Sequence, residues 1–253
     1  MTNCTEAKRY YDEKWIKQFT VGGYAKVTHK EAIHYGKVGR VIDIKEYEGE
    51  LGYFNTISID FNNSNLLYDY DPHSLTPCNK PKIRGFEQVS EIKSEIPMPI
   101  RKTKASAGYD IGVIHPMVYD LICKGYSIEE AWEQVPKVNG CAIVTKPMDS
   151  ASIILPTGIK AYMNDNEVLV MAVRSSSGIK KAIKQANPPS WIDADYYNNP
   201  DNEGHIKFAI SNDMIYFDAP IMNIAQGIFI NYLTADTGNS EYERIGGIGS
   251  TGQ

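Results

Sequence analysis

Short apolar runs separated by turn formers dominate residues 142–231: AIVT, SIILPTGIKAYM, EVLVMAV, HIKFAISND and IAQGIFINY. Most are short for a helix, are rich in β-branched residues, and are bounded by Gly, Pro, Asn or Asp, which is the pattern of strands in a sandwich or barrel. YAKVTHKE, KVGRVIDIKEY and TISIDFNN carry the same alternation near the N-terminus, punctuated by Gly22-Gly23, Gly39, Gly49 and Asn62-Asn63. The chain therefore reads as mainly β: a small N-terminal barrel-like module and a larger β domain.

Two helical segments interrupt this pattern. Ala7, Tyr11, Trp15 and Phe19 recur every four residues, which predicts a short amphipathic helix over 5–19. Residues 115–136 read as an inserted helical hairpin. Its first helix opens at Pro116, turns Met117, Val118, Leu121 and Ile122 inward and closes at Gly125. The second opens on the Ser127–Glu130 capping box and buries Ile128, Ala131, Trp132 and Val135. Residues 79–102 are polar, carry Pro81, Pro97 and Pro99 and show no period, so the division is placed at 1–90 and 91–253. GKVGRVIDI resembles, weakly, the strand-turn-strand of KOW-type small barrels.

Lys+Arg 26 against Asp+Glu 31 gives a net charge of −5, so no overall basic field exists to grip nucleic acid or an acidic membrane. No apolar run approaches the ~20 residues that span a bilayer, and MTNCTEAKRYYDEKW lacks a secretory signal's apolar stretch. Cys4, Cys78, Cys123 and Cys141 form no CxxC pair. The expectation is a soluble, intracellular (cytoplasmic) protein with reduced thiols.

Four local patterns carry chemistry. The tail RIGGIGSTGQ concentrates Gly246, Gly247, Gly249 and Gly252 with Ser250 and Thr251, so backbone N–H groups and hydroxyls could wrap phosphate oxygens; its bland alternative is an ordinary free terminus. It is no Walker loop, since Gly-Lys-Ser/Thr is missing. Arg174 with Ser175, Ser176 and Ser177 follows the strand EVLVMAV and offers a cationic fork beside hydroxyls, or else a solvated turn. Asp193 and Asp195 lie two apart and on a strand would share a face, suiting general-base or cation work; a charged loop end is the alternative. Asp110 in SAGYDI follows a small-residue turn and alone says little.

Taken in order, SAGYDI (106–111), RSSSG (174–178), WIDADYY (191–197), NIAQGIF (223–229) and RIGGIGSTG (244–252) resemble the five motifs of the trimeric dUTPase family, across roughly residues 95–253. The resemblance implies a jelly-roll homotrimer that hydrolyses dUTP to dUMP and pyrophosphate in sites shared between subunits. It implies that Asp193 is the general base for water attacking the α-phosphorus, that Asp110 holds Mg²⁺ through water, and that Arg174, Ser175 and Ser176 clamp phosphates. Tyr196 would stack under the deoxyribose, Asn187 would bond the base edge, and Gln226 would support the site. Arg244, Ile248, Ser250 and Thr251 would belong to a closing lid, residues 244–253.

The family tail usually has an aromatic residue where this chain has Ile248. The hairpin before Asp193 usually has Gly where Ser190 stands, and Pro188 and Pro189 remove two backbone donors there. Asn223 replaces a usual basic residue. Two other functions stay open: a regulatory or binding protein of this fold with weakened catalysis, and dCTP deamination, which the Asp195-Tyr196 pair and the GSTG tail disfavour. Residues 1–90 and 115–136 offer surfaces for a protein partner; residues 20–80, at 6 − 8 = −2, suit nucleic acid poorly.

Overall fold

The computed structural model describes residues 15–32, 34–49, 52–61, 66–79 and 81–237. The chain divides into two compact units, Met1–Lys82 and Ile83–Gln253. That division falls ahead of the expected 90/91 boundary, because Gly85–Gln88 already pairs with a strand of the second unit and Val89 is buried in its core.

In the first unit, β1 (Tyr24–Val27), β2 (Val38–Gly49), β3 (Gly52–Asp60), β4 (Tyr68–Tyr70) and β5 (Leu75–Cys78) form one antiparallel sheet in the order β4-β3-β2-β1-β5. Alternation puts Ala25, Val27, Val41, Ile57 and Ile59 on one face, where they enclose a core with Phe19 and Leu75. Most of the helix expected over 5–19 lies outside the described residues. Trp15 donates its indole N–H to the Pro72 carbonyl at 2.7 Å.

The second unit is a sandwich of one four-stranded sheet and three two-stranded ones. Its strands are β6 (Gly85–Gln88), β7 (Tyr109–Ile114), β8 (Ala142–Thr145), β9 (Ile153–Pro156), β10 (Ile159–Tyr162), β11 (Glu167–Val173), β12 (Ser190–Asp193), β13 (Lys207–Ile210), β14 (Met214–Phe217) and β15 (Ile221–Asn231). The larger sheet runs β12-β11-β15-β7, and the pairs are β10-β6, β13-β9 and β14-β8. Ile111, Leu169, Met171, Phe208 and Phe217 fill the space between layers at zero exposure. Each such side chain contributes about 1.5–3 kcal/mol by leaving water.

The helical hairpin is present as α1 (Pro116–Cys123) and α2 (Ile128–Glu133). The His115 ring accepts from the Met117 N–H at 3.2 Å, and Gly125 takes a positive φ of 101° just past α1. Ser127 and Glu130 close both bonds of the capping box. Val118, Ile122, Ala131 and Val135 face the core as expected, whereas Met117 is exposed because it sits in the first turn, off the Val118–Ile122 stripe. A third helix, α3 (Ser175–Lys181), occupies the segment read from sequence as a strand end and turn.

Candidate active site

The larger sheet sets one cluster of the candidate side chains at the end where β11, β15 and β7 lie side by side. Asp110 on β7 is paired with Gln226 on β15, and Gln226 with Ala172 on β11. Between Asn223 and Ala225 the β15 register shifts by one residue against β7. Arg174, just past β11, bonds the carbonyls of both Asn223 and Ile224 at this bulge. Its backbone N–H bonds the Ile224 carbonyl at 2.8 Å, and Nη1 donates to the Asn223 carbonyl at 3.1 Å.

Arg174 then reaches across β15, and its Nε lies 3.0 Å from Asp110 Oδ1. Asp110 is 7% exposed, and its Oδ2 is buried without a hydrogen-bond donor among the described residues. A buried carboxylate oxygen without a donor carries a full desolvation cost. It is therefore an acceptor awaiting a water or another donor. Arg174 also lines a cleft of about 340 Å³, together with Ser176, Lys180, Lys181 and Asn223. Lys181 Nζ is 3.5 Å from Asp218 at the cleft rim. Ser175 and Ser176 are exposed on the first turn of α3, and Ser177 is buried beneath them.

Gln226 is held by a missing side chain. A Cβ on Gly108 would meet its amide directly, so the glycine of SAGYDI makes room for Gln226 beside Asp110.

Asp193 ends β12 and is exposed. The strand stops there: Ala194–Tyr196 is a 3-10 turn, so Asp193 and Asp195 do not share a strand face as the spacing suggested. Tyr196 keeps only 9% exposure; its hydroxyl donates to the His205 carbonyl at 3.1 Å and accepts from Asn202 Nδ2 at 2.9 Å. Little of its ring surface in one copy remains for a sugar. His205 is itself buried, and its Nε2 accepts the Gly158 N–H at 3.0 Å. Burial pushes its pKa down to about 4, with Glu91 pulling the other way. The loop after Tyr196 is tied down by Lys160, whose Nζ donates to Asn198 Oδ1 at 2.6 Å and Glu203 Oε1 at 2.5 Å. That bond to Lys160 holds the Glu203 carboxyl down to about 2.

The expected residues thus fall into two groups in one copy. Asp110, Arg174, Ser175, Ser176 and Gln226 gather at one end of the sheet. Asp193 is paired with Val168, four residues back along β11 from Ala172, and stands one strand beyond β11 on the side away from β7. At ~3.3 Å per residue and ~4.8 Å per strand, that is roughly 20 Å from Asp110. Register places Asp193, Trp191, Val170, Ile228, Gln226 and Asp110 on the same face of the sheet. Between the two groups lie Trp191 at 57% exposure and Ile228 at 38%. Asn187 is exposed in the loop before β12. Arg244, Ile248, Ser250 and Thr251 lie outside the described residues.

Sequence reasoning missed Gln185 and Lys180. Gln185 Nε2 lies 3.2 Å from the Met171 carbonyl, 3.0 Å from the Asn187 carbonyl and 2.8 Å from Ser190 Oγ. Nothing in the sequence marks it, because its acceptors are mainly backbone carbonyls. Lys180 was legible as a cation after the serines, but not as part of a cleft wall.

No protein-family model matches the chain. The curated deoxyuridine 5'-triphosphate nucleotidohydrolase of Lactococcus lactis subsp. lactis (strain IL1403) is 38% identical over 179 residues, covering 68% of this chain and 99% of that protein. The crystal structure of dUTPase from Streptococcus mutans is 31% identical, covers 60% of this chain and 99% of its own, and superposes with a TM-score of 0.45. Native EIAV dUTPase is 15% identical, with coverages of 64% and 100% and a TM-score of 0.37.

Proposed function

The chain belongs to the dUTPase family, and from that we propose that it hydrolyses dUTP to dUMP and pyrophosphate, with Asp193 as the general base. The observation that carries this reading is the 38% identity across 99% of a curated deoxyuridine triphosphate nucleotidohydrolase.

Asp193 orients the attacking water and takes its proton as the oxygen closes on the α-phosphorus. Arg174 neutralises charge on the phosphate oxygens. Its Nε and one Nη1 hydrogen are engaged by Asp110 and the Asn223 carbonyl. The rest of its five-donor fork is left for the nucleotide. Anchoring by the bulge costs the reaction little reorganisation, because the guanidinium is already aimed. Ser175 and Ser176 add hydroxyls, and Gln226 supports the water. Asn187 bonds the base edge, and Tyr196 limits the sugar pocket.

The residues fit a Mg²⁺ ion that arrives with the triphosphate. Among the described residues no three His, Cys, Asp or Glu side chains form a metal cage. Asp110 Oδ2, buried and without a donor among the described residues, suits a metal-bound water. The ion would neutralise charge on the triphosphate and the leaving pyrophosphate.

The separation of Asp193 from Asp110 supports a site completed by another copy. The apolar face between them, Trp191 with Ile228 and Ile230, supports the same closed association, taken here as a homotrimer. The tail 244–253, with Arg244, Ile248, Ser250 and Thr251, would complete the site as a lid. The test is pyrophosphate release from dUTP with Mg²⁺, beside dCTP and dTTP. Turnover of dUTP that Asp193→Asn abolishes supports the reading. A folded wild type that leaves dUTP intact refutes it, and ammonia released from dCTP replaces it with deamination.

A further inference from the structure

The loop Asn187-Pro188-Pro189-Ser190 enters β12, the strand that carries Asp193. Two of its four residues have no N–H, so the loop has few backbone donors of its own with which to staple itself. Side chains supply donors instead. Gln185 Nε2 donates to the Asn187 carbonyl at 3.0 Å and to Ser190 Oγ at 2.8 Å. Ser190 Oγ in turn donates to the same Asn187 carbonyl at 3.3 Å. Asn187, exposed on its side chain, is thus gripped twice on its backbone.

Gln185 is well placed for this. Its backbone bridges Ile210 on β13, the next N–H in the chain, Ala186, bonds the Ala209 carbonyl at 3.0 Å, and its amide also reaches the Met171 carbonyl on β11. It ties the loop to two strands. An amide is needed: a carboxylate offers no N–H to these acceptors, and a hydrocarbon would leave the Asn187 carbonyl with Ser190 alone.

We propose that Gln185, acting through Ser190, is a positioning residue for base selection: the brace holds the Asn187 loop rigid so that Asn187 meets the base edge in one geometry. The inference rests on the functional reading above and deepens it. It joins Pro188, Pro189 and Ser190 into one compensated unit, in which the donors removed by the prolines are replaced by a glutamine amide and a serine hydroxyl.

The test is steady-state kinetics for dUTP and dTTP on the full chain, comparing wild type with Gln185→Met, Ser190→Ala and Ser190→Thr, with thermal midpoints recorded. Gln185→Met keeps the bulk and removes the donors. It is expected to raise the dUTP KM about tenfold, the size of one or two lost hydrogen bonds, while kcat stays within about threefold. The preference for dUTP over dTTP should fall by a similar factor. Ser190→Ala should shift both quantities the same way by less, and Ser190→Thr, which keeps the hydroxyl, should restore them. An unchanged KM and preference in both Gln185→Met and Ser190→Ala overturns the brace. So does a uniform loss for both nucleotides that tracks a falling melting temperature. A folded wild type that does not turn over dUTP refutes the functional reading itself and takes the inference with it.

Discussion

A Cβ built on Gly108 would stand 1.9 Å from Gln226 Nε2 and 2.4 Å from its Cδ and Cγ, so Gln226 keeps this position only while residue 108 is glycine. The obstructed atoms belong to a flexible side chain, so the fold can accept Gly108→Ala by moving Gln226 aside. Activity should then fall far more than stability: about 10–100-fold in kcat, against roughly 1 kcal/mol in unfolding. Adding Gln226→Ala to Gly108→Ala should cause little further loss, which a double-mutant cycle reads directly.

Asp110→Asn separates two roles of one carboxylate. Arg174 keeps 29% side-chain exposure, so its lost partner is partly replaced by water, and the stability cost is about 1–3 kcal/mol, below that of a fully buried pair. If Asp110 also steadies a metal-bound water, the Mg²⁺ concentration for half-maximal turnover should rise at least severalfold. A magnesium titration at fixed dUTP checks this; an unchanged midpoint leaves Asp110 as an anchor for Arg174 alone.

His205 predicts how the second unit responds to acid. Its folded pKa of about 4 lies below the ordinary value of 6.5, because burial disfavours the imidazolium. The unfolded chain therefore binds the extra proton first. This contribution is complete above pH 6.5, is lost as pH falls through this window and levels off below about 4, a total on the order of 3 kcal/mol. Burial lowers the His115 pKa too, with the same sign. Glu203, held at about 2, loses its contribution only as pH falls below the ordinary 4.5. Urea melts between pH 4 and 6.5 on wild type and His205→Gln isolate the His205 part, which the variant should lack.

Ser127→Ala removes one acceptor and one donor of the α2 capping box. It should cost roughly 1 kcal/mol and leave dUTP turnover unchanged, since α2 contributes no proposed site residue. Thermal melting and a pyrophosphate assay on one preparation check both halves.

The sheet was legible where short apolar runs are bounded by turn formers: EVLVMAV became β11, and IAQGIFINY became most of β15. The capping box was legible because Ser127 and Glu130 are local to each other. β7 was not, because it follows Gly108, a glycine that makes room for a glutamine more than a hundred residues away. SSSGIKK looked like a turn because serine and glycine are weak helix formers; its first residues are turned by the Arg174 carbonyl accepting from both Ser177 and Gly178. The spacing of Asp193 and Asp195 suggested a shared strand face, but the chain turns at Ala194 and separates them. The motifs named the candidate residues, yet the division of those residues into two distant groups follows from strand order, which no local pattern encodes.

That division is tested most directly by mixing two inactive variants. Asp193→Asn and Asp110→Asn chains are unfolded together, refolded and assayed for pyrophosphate release from dUTP at a Mg²⁺ concentration too low for either variant alone to turn over. If each site joins Asp193 of one copy to Asp110 of another, random mixing leaves roughly a quarter of sites with both carboxylates intact, and activity should return to about that fraction of wild type. No recovery from mixtures that refold and assemble as wild type does would contradict the shared site.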